Sequence, residues 1–485
     1  MSKIRKLHNL LKEKKISCEE LTRKYIDEIA TVDKNLNSYV LVTEKEAIDR
    51  ARSVDKKISR NEDIDLLEGI PMTLKDNILT RGIKTTCCSK ILSGYVPAYD
   101  ATIYKILKSK NAVLLGKTNM DEFAMGSSCR TSAYGGAKNP FNLTRVAGGS
   151  SGGGAAAVGA NLAVYAIGSD TGGSIREPAA FCGVVGLKPT YGSISRYGII
   201  AYASSLDQAG PITSTVEDAA IVYDALSIQD PLDSTSRGKI HDFSLESLKN
   251  EIGGVKIGIV EEYFDGANAD VHNRVQDAIR LYEKLGARVV HLSMPQAQNS
   301  LKAYYVQSCV EAASNFARFD GIRFGNYNFS SLDLNAEDFM TKVRSQGFGD
   351  EVKRRVIFGT YISRGDNYKK YHLNAQNAIK GIRAEFDNAF SQCDVLISPT
   401  ATKTAFSFDY EIKDPVEGYK ADICTVPVNM LGLCAISIPC GVGNDKLPVG
   451  LQIIGNKFCE SRILNLAYNF EQNFQWSLPK MGVLV

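Results

Sequence analysis

Short apolar runs of strand length recur along this chain with amphipathic helical stretches between them, and that alternation limits the folds open to it. The runs are Gly69–Leu74, Ala112–Leu115, Ala163–Ile167, Val255–Val260, Ala287–Val290, Val395–Ile397, Ala435–Ile438 and Val449–Ile454. Val271–Leu285 and Glu460–Phe470 are helical stretches of the intervening kind. The pattern predicts an α/β fold with a single large mixed β-sheet core covered by helices on both faces. Residues 1–60 read differently, as an N-terminal helical segment packed on that core, with residues 61–485 forming the main domain. Ser17 with Glu20 predicts a capping box, followed by Leu21, Tyr25 and Ile29 at helical spacing. Thr43 with Glu46 predicts a second box, leading the stripe Ala47, Ala51, Val54 and Ile58. The polar stretch Tyr410–Tyr419 reads as an exposed excursion. No repeat with a period of roughly 20–50 residues appears, which excludes solenoids and propellers.

Composition narrows the class of function. Of 485 residues, 44% are hydrophobic and 23% charged, enough to bury a large core and too apolar for a disordered chain. Lys and Arg number 57 against 54 Asp and Glu, so no global field marks a nucleic-acid binder. The first 60 residues hold 15 basic against 10 acidic side chains, a mild excess that suits a solvated helical surface. Residues 1–11 are too polar for a signal peptide, and the Gly/Ala-rich stretch 152–168 is too weakly hydrophobic to enter a membrane. The 11 cysteines include no CxxC pair, and the histidines at 8, 241, 272, 291 and 372 lie far apart. Free buried thiols in a reducing cytoplasm are expected, with no metal site and no cofactor held by this chain.

The chemistry concentrates between Ala147 and Arg176, where three generic motifs can be tested. Gly152-x-Gly154-x-x-Ala157 matches a dinucleotide fingerprint, but the polar, proline-containing stretch 139–146 predicts no strand leading into it. Gly116-Lys117-Thr118 ends a strand as a phosphate loop would, yet Asn111 stands where that loop needs glycine. Gly148-x-Ser150-x-Gly152 matches a nucleophile elbow but has neither the strand nor a nearby histidine.

What remains is a matter of lengths. A helix over residues 152–161 would rise roughly 15 Å at about 1.5 Å per residue. A strand over residues 162–168 would return roughly 20 Å at about 3.3 Å per residue. Ser150 just before the helix and Ser174 just after the strand are thereby brought together. Lys75 follows the strand 69–74 at the same sheet edge, and a lysine set partly among apolar groups loses proton affinity and can act as a neutral base. Two serines and a lysine suffice for nucleophilic acyl transfer. Gly172 and Gly173 allow the chain to turn and expose N–H groups, so Thr171, Gly172 and Gly173 are candidates for an oxyanion hole. Asp170 and Arg176 flank the loop and are expected to pair across it. Taken alone, Ser174 would be a turn residue, Ser150 an N-cap and Lys75 a surface lysine.

The run Gly148-Gly-Ser-Ser-Gly-Gly153, the Ser174 loop 24 residues beyond Ser150, and Lys75 in its strand-end context resemble the amidase signature family. The resemblance extends over residues 5–475. Within the family it is strongest to the glutaminase subunits of tRNA-dependent amidotransferases, on the segments Asp121–Ser128, Ala317–Gly325, Glu351–Thr360 and Ala421–Asn429. Thr402 stands where the family usually has a second proline, a loop difference remote from the signature.

The resemblance implies that Lys75 is the base, Ser150 the relay through a cis peptide, and Ser174 the acylated nucleophile, with Ser151 in a supporting role. It also implies that an arginine of the 351–360 segment holds the substrate carboxylate, Arg355 being preferred to Arg354. Asp422 would then answer the α-amino group, and Tyr305 would line the pocket. Phe316, Phe319 and Phe324, with no basic stripe beside them, are better placed in a core or interface than as a base-stacking platform. The implied reaction is glutamine hydrolysis in the cytoplasm. Ammonia would pass to a larger partner subunit that handles tRNA and uses ATP with Mg to amidate Glu-tRNA(Gln), and a small third subunit completes a heterotrimer. The competing readings are a stand-alone amidase acting on small or fatty amides, and a scaffold whose site has decayed.

Overall fold

The computed structural model describes residues 2–238, 243–325, 334–410 and 420–478. Its centre is one mixed sheet of 11 strands. In chain order the strands are β1 (Tyr39–Val42), β2 (Pro71–Lys75), β3 (Val113–Thr118), β4 (Lys138–Asn139), β5 (Asn142–Val146), β6 (Tyr165–Asp170), β7 (Val185–Lys188), β8 (Gln208–Thr213), β9 (Lys256–Val260), β10 (Arg288–Leu292), β11 (Val395–Pro399), β12 (Cys434–Val442) and β13 (Pro448–Gly455). The sheet runs β1-β3-β2-β6-β8-β7-β12-β13-β11-β9-β10, and β4 and β5 form a separate two-stranded ribbon. Parallel trios, β3-β2-β6 and β11-β9-β10, lie on either side of an antiparallel middle.

Alternation along the strands divides the interior in two. Ile436 and Ile438 face one apolar cluster, with Leu451 and Ile453 beside them. Ala435 and Ile454 face another. Successive side chains of a strand point to opposite faces, so a sheet apolar on both faces must be covered on both. Helices do this: Glu460–Asn473 and Ala269–Lys284 bury Ile463, Leu466 and Val275 on the first face, while Asn374–Gln392 buries Ile382 and Phe386 on the second. Phe316 and Phe319 belong to the second cluster, packed with Phe123 and Phe348, so they are core residues.

The N-terminal residues form three helices, Lys3–Lys12, Cys18–Leu36 and Glu44–Ser59, and one strand that the apolar pattern did not predict. That strand, β1, pairs antiparallel with β3 at the sheet edge. The Ser17 cap forms as expected, its hydroxyl accepting the Glu20 N–H. The Thr43 cap does not: its hydroxyl donates instead to the Leu114 carbonyl at 2.8 Å, a tertiary bond that outcompetes the local one. A second correction concerns residues 142–146, which form β5 despite their polarity because the ribbon with β4 leaves Asn142, Leu143 and Thr144 in solvent. The expected excursion Tyr410–Tyr419 lies, beyond Tyr410, outside the described residues, as does His241. Among the described residues no helix is long and apolar enough to cross a membrane, and no cluster of His, Cys, Asp and Glu could hold a metal ion.

Candidate active site

Adjacent parallel strands β2 and β6, registered Met72 to Tyr165 and Leu74 to Ile167, bring their carboxyl ends to one edge. Lys75 closes β2, and Ser169 and Asp170 close β6. Before β6, the helix Gly152–Gly159 runs out and the chain returns, so that Ser150 and Ser151 sit against the strand ends. Lys75 is 1% exposed, and its Nζ lies 2.7 Å from Ser150 Oγ, 2.9 Å from Ser151 Oγ and 3.1 Å from the Ser169 carbonyl. Burial lowers the Lys75 amine to about 8, against the opposing pull of Asp121 and Asp170.

The protons in this cluster can be assigned. The Ser169 carbonyl only accepts, and the Ser151 hydroxyl donates to it at 3.0 Å. A neutral amine has two N–H groups, which fit Ser169 O and Ser151 Oγ. Its lone pair is then left for the Ser150 hydroxyl, and an amine so directed can accept that proton.

Ser174 is held by the same segment, since the Ser151 N–H donates to the Ser174 carbonyl at 3.0 Å. Its hydroxyl has no hydrogen bond among the described residues, and at 7% exposure it meets solvent where Ser150, at 0%, does not. The Gly149–Ser150 peptide is cis. Ser151, not Ser150, occupies the cap position of the following helix, and its hydroxyl serves Ser169 instead of the helix N-terminus. Gly149 permits a close approach that nothing larger would allow: an added Cβ would lie 2.0 Å from Asp121 Oδ2.

The loop after β6 is shaped by Asp170 and Arg176, which pair at 2.9 Å with both side chains fully buried. Burial opposes the Asp170 charge, but the Arg176 guanidinium overcomes it and holds the carboxyl well below its usual range. Arg176 also donates to Gln452 Oε1, Asn429 Oδ1 and the Thr425 carbonyl. Of the three expected oxyanion donors, Gly173 is not available: its N–H donates to Asp170 Oδ1 at 2.9 Å, because the carboxylate that sets the turn needs it. The N–H groups of Thr171, Gly172 and Ser174 have no hydrogen-bond partner among the described residues.

The more distant candidates converge beside this loop. Tyr305 donates to Asp422 Oδ2 at 3.0 Å, and the Arg355 guanidinium lies 5.1 Å from the centre of the Tyr305 ring. Arg355 is 4% exposed and donates to Tyr202 Oη at 2.7 Å and to Glu351 at 2.8 Å. Arg354 points outward and pairs with Glu351 at the surface, so only Arg355 joins the cluster. Burial raises the Asp422 carboxyl to about 7, while Tyr305 and Arg355 hold it down. The link to the loop is Thr425, whose N–H donates to the Asp422 carbonyl and whose hydroxyl donates to the Gly172 carbonyl at 2.6 Å.

Several contributors were not read from the sequence as site residues. Ser169 acts through its carbonyl, to which side-chain patterns are blind. Asp121 and Asn429 fell within segments valued only for their resemblance. Asp207, which accepts the Thr171 hydroxyl at 2.6 Å and is raised by burial to about 6, gave no signal. The GKT tripeptide has a structural use: Lys117 is buried and donates to the Ile78 carbonyl and to Thr85.

A lysine on a buried serine pair at the carboxyl end of neighbouring parallel strands, beside a serine on a glycine loop, is the geometry of an amidase. The family model described as Amidase matches residues 20–464, and the chain belongs to this family, the amidase signature enzymes. More particular likenesses are to the glutamyl-tRNA(Gln) amidotransferase A subunits. That of Thermosynechococcus vestitus is 48% identical over 478 residues, 98% of each chain. That of Caldanaerobacter subterraneus subsp. tengcongensis is 48% identical, covering 99% of this chain and 98% of its own. Among solved structures, the A subunit from Thermotoga maritima superposes with a TM-score of 0.80 at 38% identity, covering 96% of this chain and 95% of that one. The peptide amidase of Stenotrophomonas maltophilia superposes at 0.79 with 27% identity, covering 97% and 96%.

Proposed function

We propose that this chain is the glutaminase subunit of a tRNA-dependent amidotransferase, hydrolysing glutamine to supply ammonia for converting Glu-tRNA(Gln) to Gln-tRNA(Gln). The observation that carries the reading is the juxtaposition of the Lys75–Ser150 contact with the Tyr305–Asp422–Arg355 cluster across the 170–174 loop. The first set suits amide cleavage. The second offers a carboxylate and a guanidinium, which match the α-amino and carboxylate groups of a free amino acid.

Neutral Lys75 takes the Ser150 proton, Ser150 takes that of Ser174, and Ser174 Oγ bonds to the glutamine amide carbon. The oxyanion accepts from the N–H groups of Thr171 and Gly172, each such donor commonly worth about 2.7–4 kcal/mol in the transition state. The C–N bond breaks as a proton returns through Ser150, so ammonia leaves and a glutamyl ester remains on Ser174. Water, giving its proton to the same relay, cleaves the ester to glutamate and restores the serine. ATP and Mg are used by a larger partner subunit that handles tRNA, a small third subunit binds alongside, and the complex works in the cytoplasm.

The test is a transamidation assay on mischarged tRNA with the assembled complex. Ser174→Ala abolishes glutamine-dependent amidation and leaves amidation from added ammonium salts intact. Turnover of simple amides without partners, and none of glutamine, would point instead to a stand-alone amidase.

A further inference from the structure

At the carboxyl end of the helix Val426–Leu431 lies a cavity of about 530 Å³ whose lining includes Arg237, Arg383, Lys457, Ser234 and Asn429. No carboxylate lines it. The acids behind its wall are committed elsewhere: Glu460 accepts the Thr190 N–H, Asp233 accepts the Thr235 hydroxyl, and Glu311 accepts the Ser205 N–H. Arg237, Arg383 and Lys457, by contrast, make no side-chain hydrogen bond or ion pair among the described residues. Asp387 lies near Lys457 without pairing with it, and Lys457 is depressed by burial and then by Arg383. Arg383 is half-buried and Arg237 and Lys457 reach solvent, so three like charges share one concavity with no carboxylate among its lining, and an anion held between them would relieve their repulsion.

We propose that this cavity is a binding site for a small phosphorylated anion, a phosphate or diphosphate group held by Arg237, Arg383 and Lys457. Two planar guanidinium forks and one ammonium approach from separate elements, which suits a tetrahedral dianion with oxygens in several directions. A polynucleotide would call for a basic track along the surface, and these cations line a single concavity.

The site is wired to the nucleophile loop. Asn429 lines the cavity, and its Nδ2 donates to the Asp170 carboxylate at 2.9 Å while its Oδ1 accepts from Arg176 at 2.6 Å. The same short helix begins beside Thr425, which holds the Gly172 carbonyl. A ligand drawn against Asn429 therefore bears on the turn that carries Ser174, and binding shifts the kinetics of glutamine hydrolysis. This coupling rests on the proposed glutaminase activity; the binding itself does not.

Calorimetric titration of the full chain with inorganic pyrophosphate, at ionic strength held constant with chloride, tests the site. Wild type is expected to show saturable one-to-one binding. The double variant Arg383→Ala/Lys457→Ala should weaken it about tenfold or more, since it removes two of the three charges that face the anion. Lys56→Ala, on a separate basic surface that also holds Asp49 and Glu62, should leave it unchanged. Absence of saturable heat with wild type, or equal affinity in all three proteins, overturns the proposal, as does a short RNA binding far more tightly than pyrophosphate. In the second arm, pyrophosphate alters the KM or kcat for glutamine in wild type and not in the double variant. Binding with unchanged kinetics would remove the coupling, and absence of glutaminase activity in every protein would refute the functional reading while leaving the calorimetric result standing.

Discussion

Lys75 Nζ and Ser150 Oγ are 2.7 Å apart with both residues buried, and in the neutral amine the Ser151 hydroxyl, itself donating to Ser169, and the Ser169 carbonyl take the two N–H groups. The lone pair is therefore committed to Ser150. The amine must be uncharged to have one, which makes the reaction sensitive to pH in a definite direction. With the amine lowered to about 8, kcat for glutamine should rise with pH below that value and level above it. The slope on the acid side should approach about tenfold per unit, as for one essential deprotonation. Asp422, raised to about 7, adds a limb of the same sign to kcat/KM, since the carboxylate is the form that binds an ammonium group. A pH-rate series on the assembled complex checks both, and a flat kcat between pH 6 and about 9 would refute the base assignment.

Ser151 and Ser150 make different contributions to the same amine. Ser150→Ala removes the relay and should lower kcat by about 10²–10⁴-fold, the usual range for a lost general acid–base group. Ser151→Ala removes an acceptor and leaves one Lys75 N–H unpaired, which corresponds to about 1–3 kcal/mol and a rate loss of about 10–100-fold. Steady-state kinetics of the two variants, with circular dichroism to confirm folding, distinguish the roles.

Arg176 is placed for architecture. It binds Asp170, Asn429, Gln452 and Thr425 with no exposed surface, so Arg176→Gln strands a buried carboxylate. Breaking such a pair typically destabilises by about 3–5 kcal/mol. A lowered denaturation midpoint, with ammonium-dependent amidation reduced in step with the folded fraction, is the expected result. A fully stable variant with altered KM alone would place Arg176 on the substrate instead.

Arg355 and Arg354 are adjacent yet should behave oppositely. Arg355→Lys loses the planar group that meets Tyr202 and Glu351 and should raise the KM for glutamine by at least about tenfold. Arg354→Lys, an exposed change, should leave kcat/KM within about twofold. Equal effects would remove Arg355 from the pocket.

The sheet was legible where Val, Ile and Leu dominate a strand, as in β9, β11 and β13. β7 and β8 were not: Val-Gly-Leu-Lys and Gln-Ala-Gly-Pro-Ile-Thr carry glycine, proline and polar groups, and only pairing with their neighbours makes them strands. Of the site, the approach of Ser150 to the Ser174 loop followed from two elements of matched length, whereas the part expected of Lys75 came from the family resemblance, since a lysine at a strand end is ordinarily a surface residue. The fate of the Gly173 N–H could not, since which donor a carboxylate claims depends on the shape of the turn. Nor could spacing choose between Arg354 and Arg355, which differ only in the side of the helix Asp350–Ile362 they occupy.

The pairing of Met72 with Tyr165 and Leu74 with Ile167 has an evolutionary corollary. Sliding β2 by one residue would turn Lys75 to the opposite side of the sheet, away from the serines. The reactive centre is thus locked by a backbone ladder, whereas Tyr305, Arg355 and Asp422 arrive on later helical segments. Those segments can diverge from one lineage to the next and redirect the scaffold to new amides while the ladder, and with it the bond-breaking step, stays as it was.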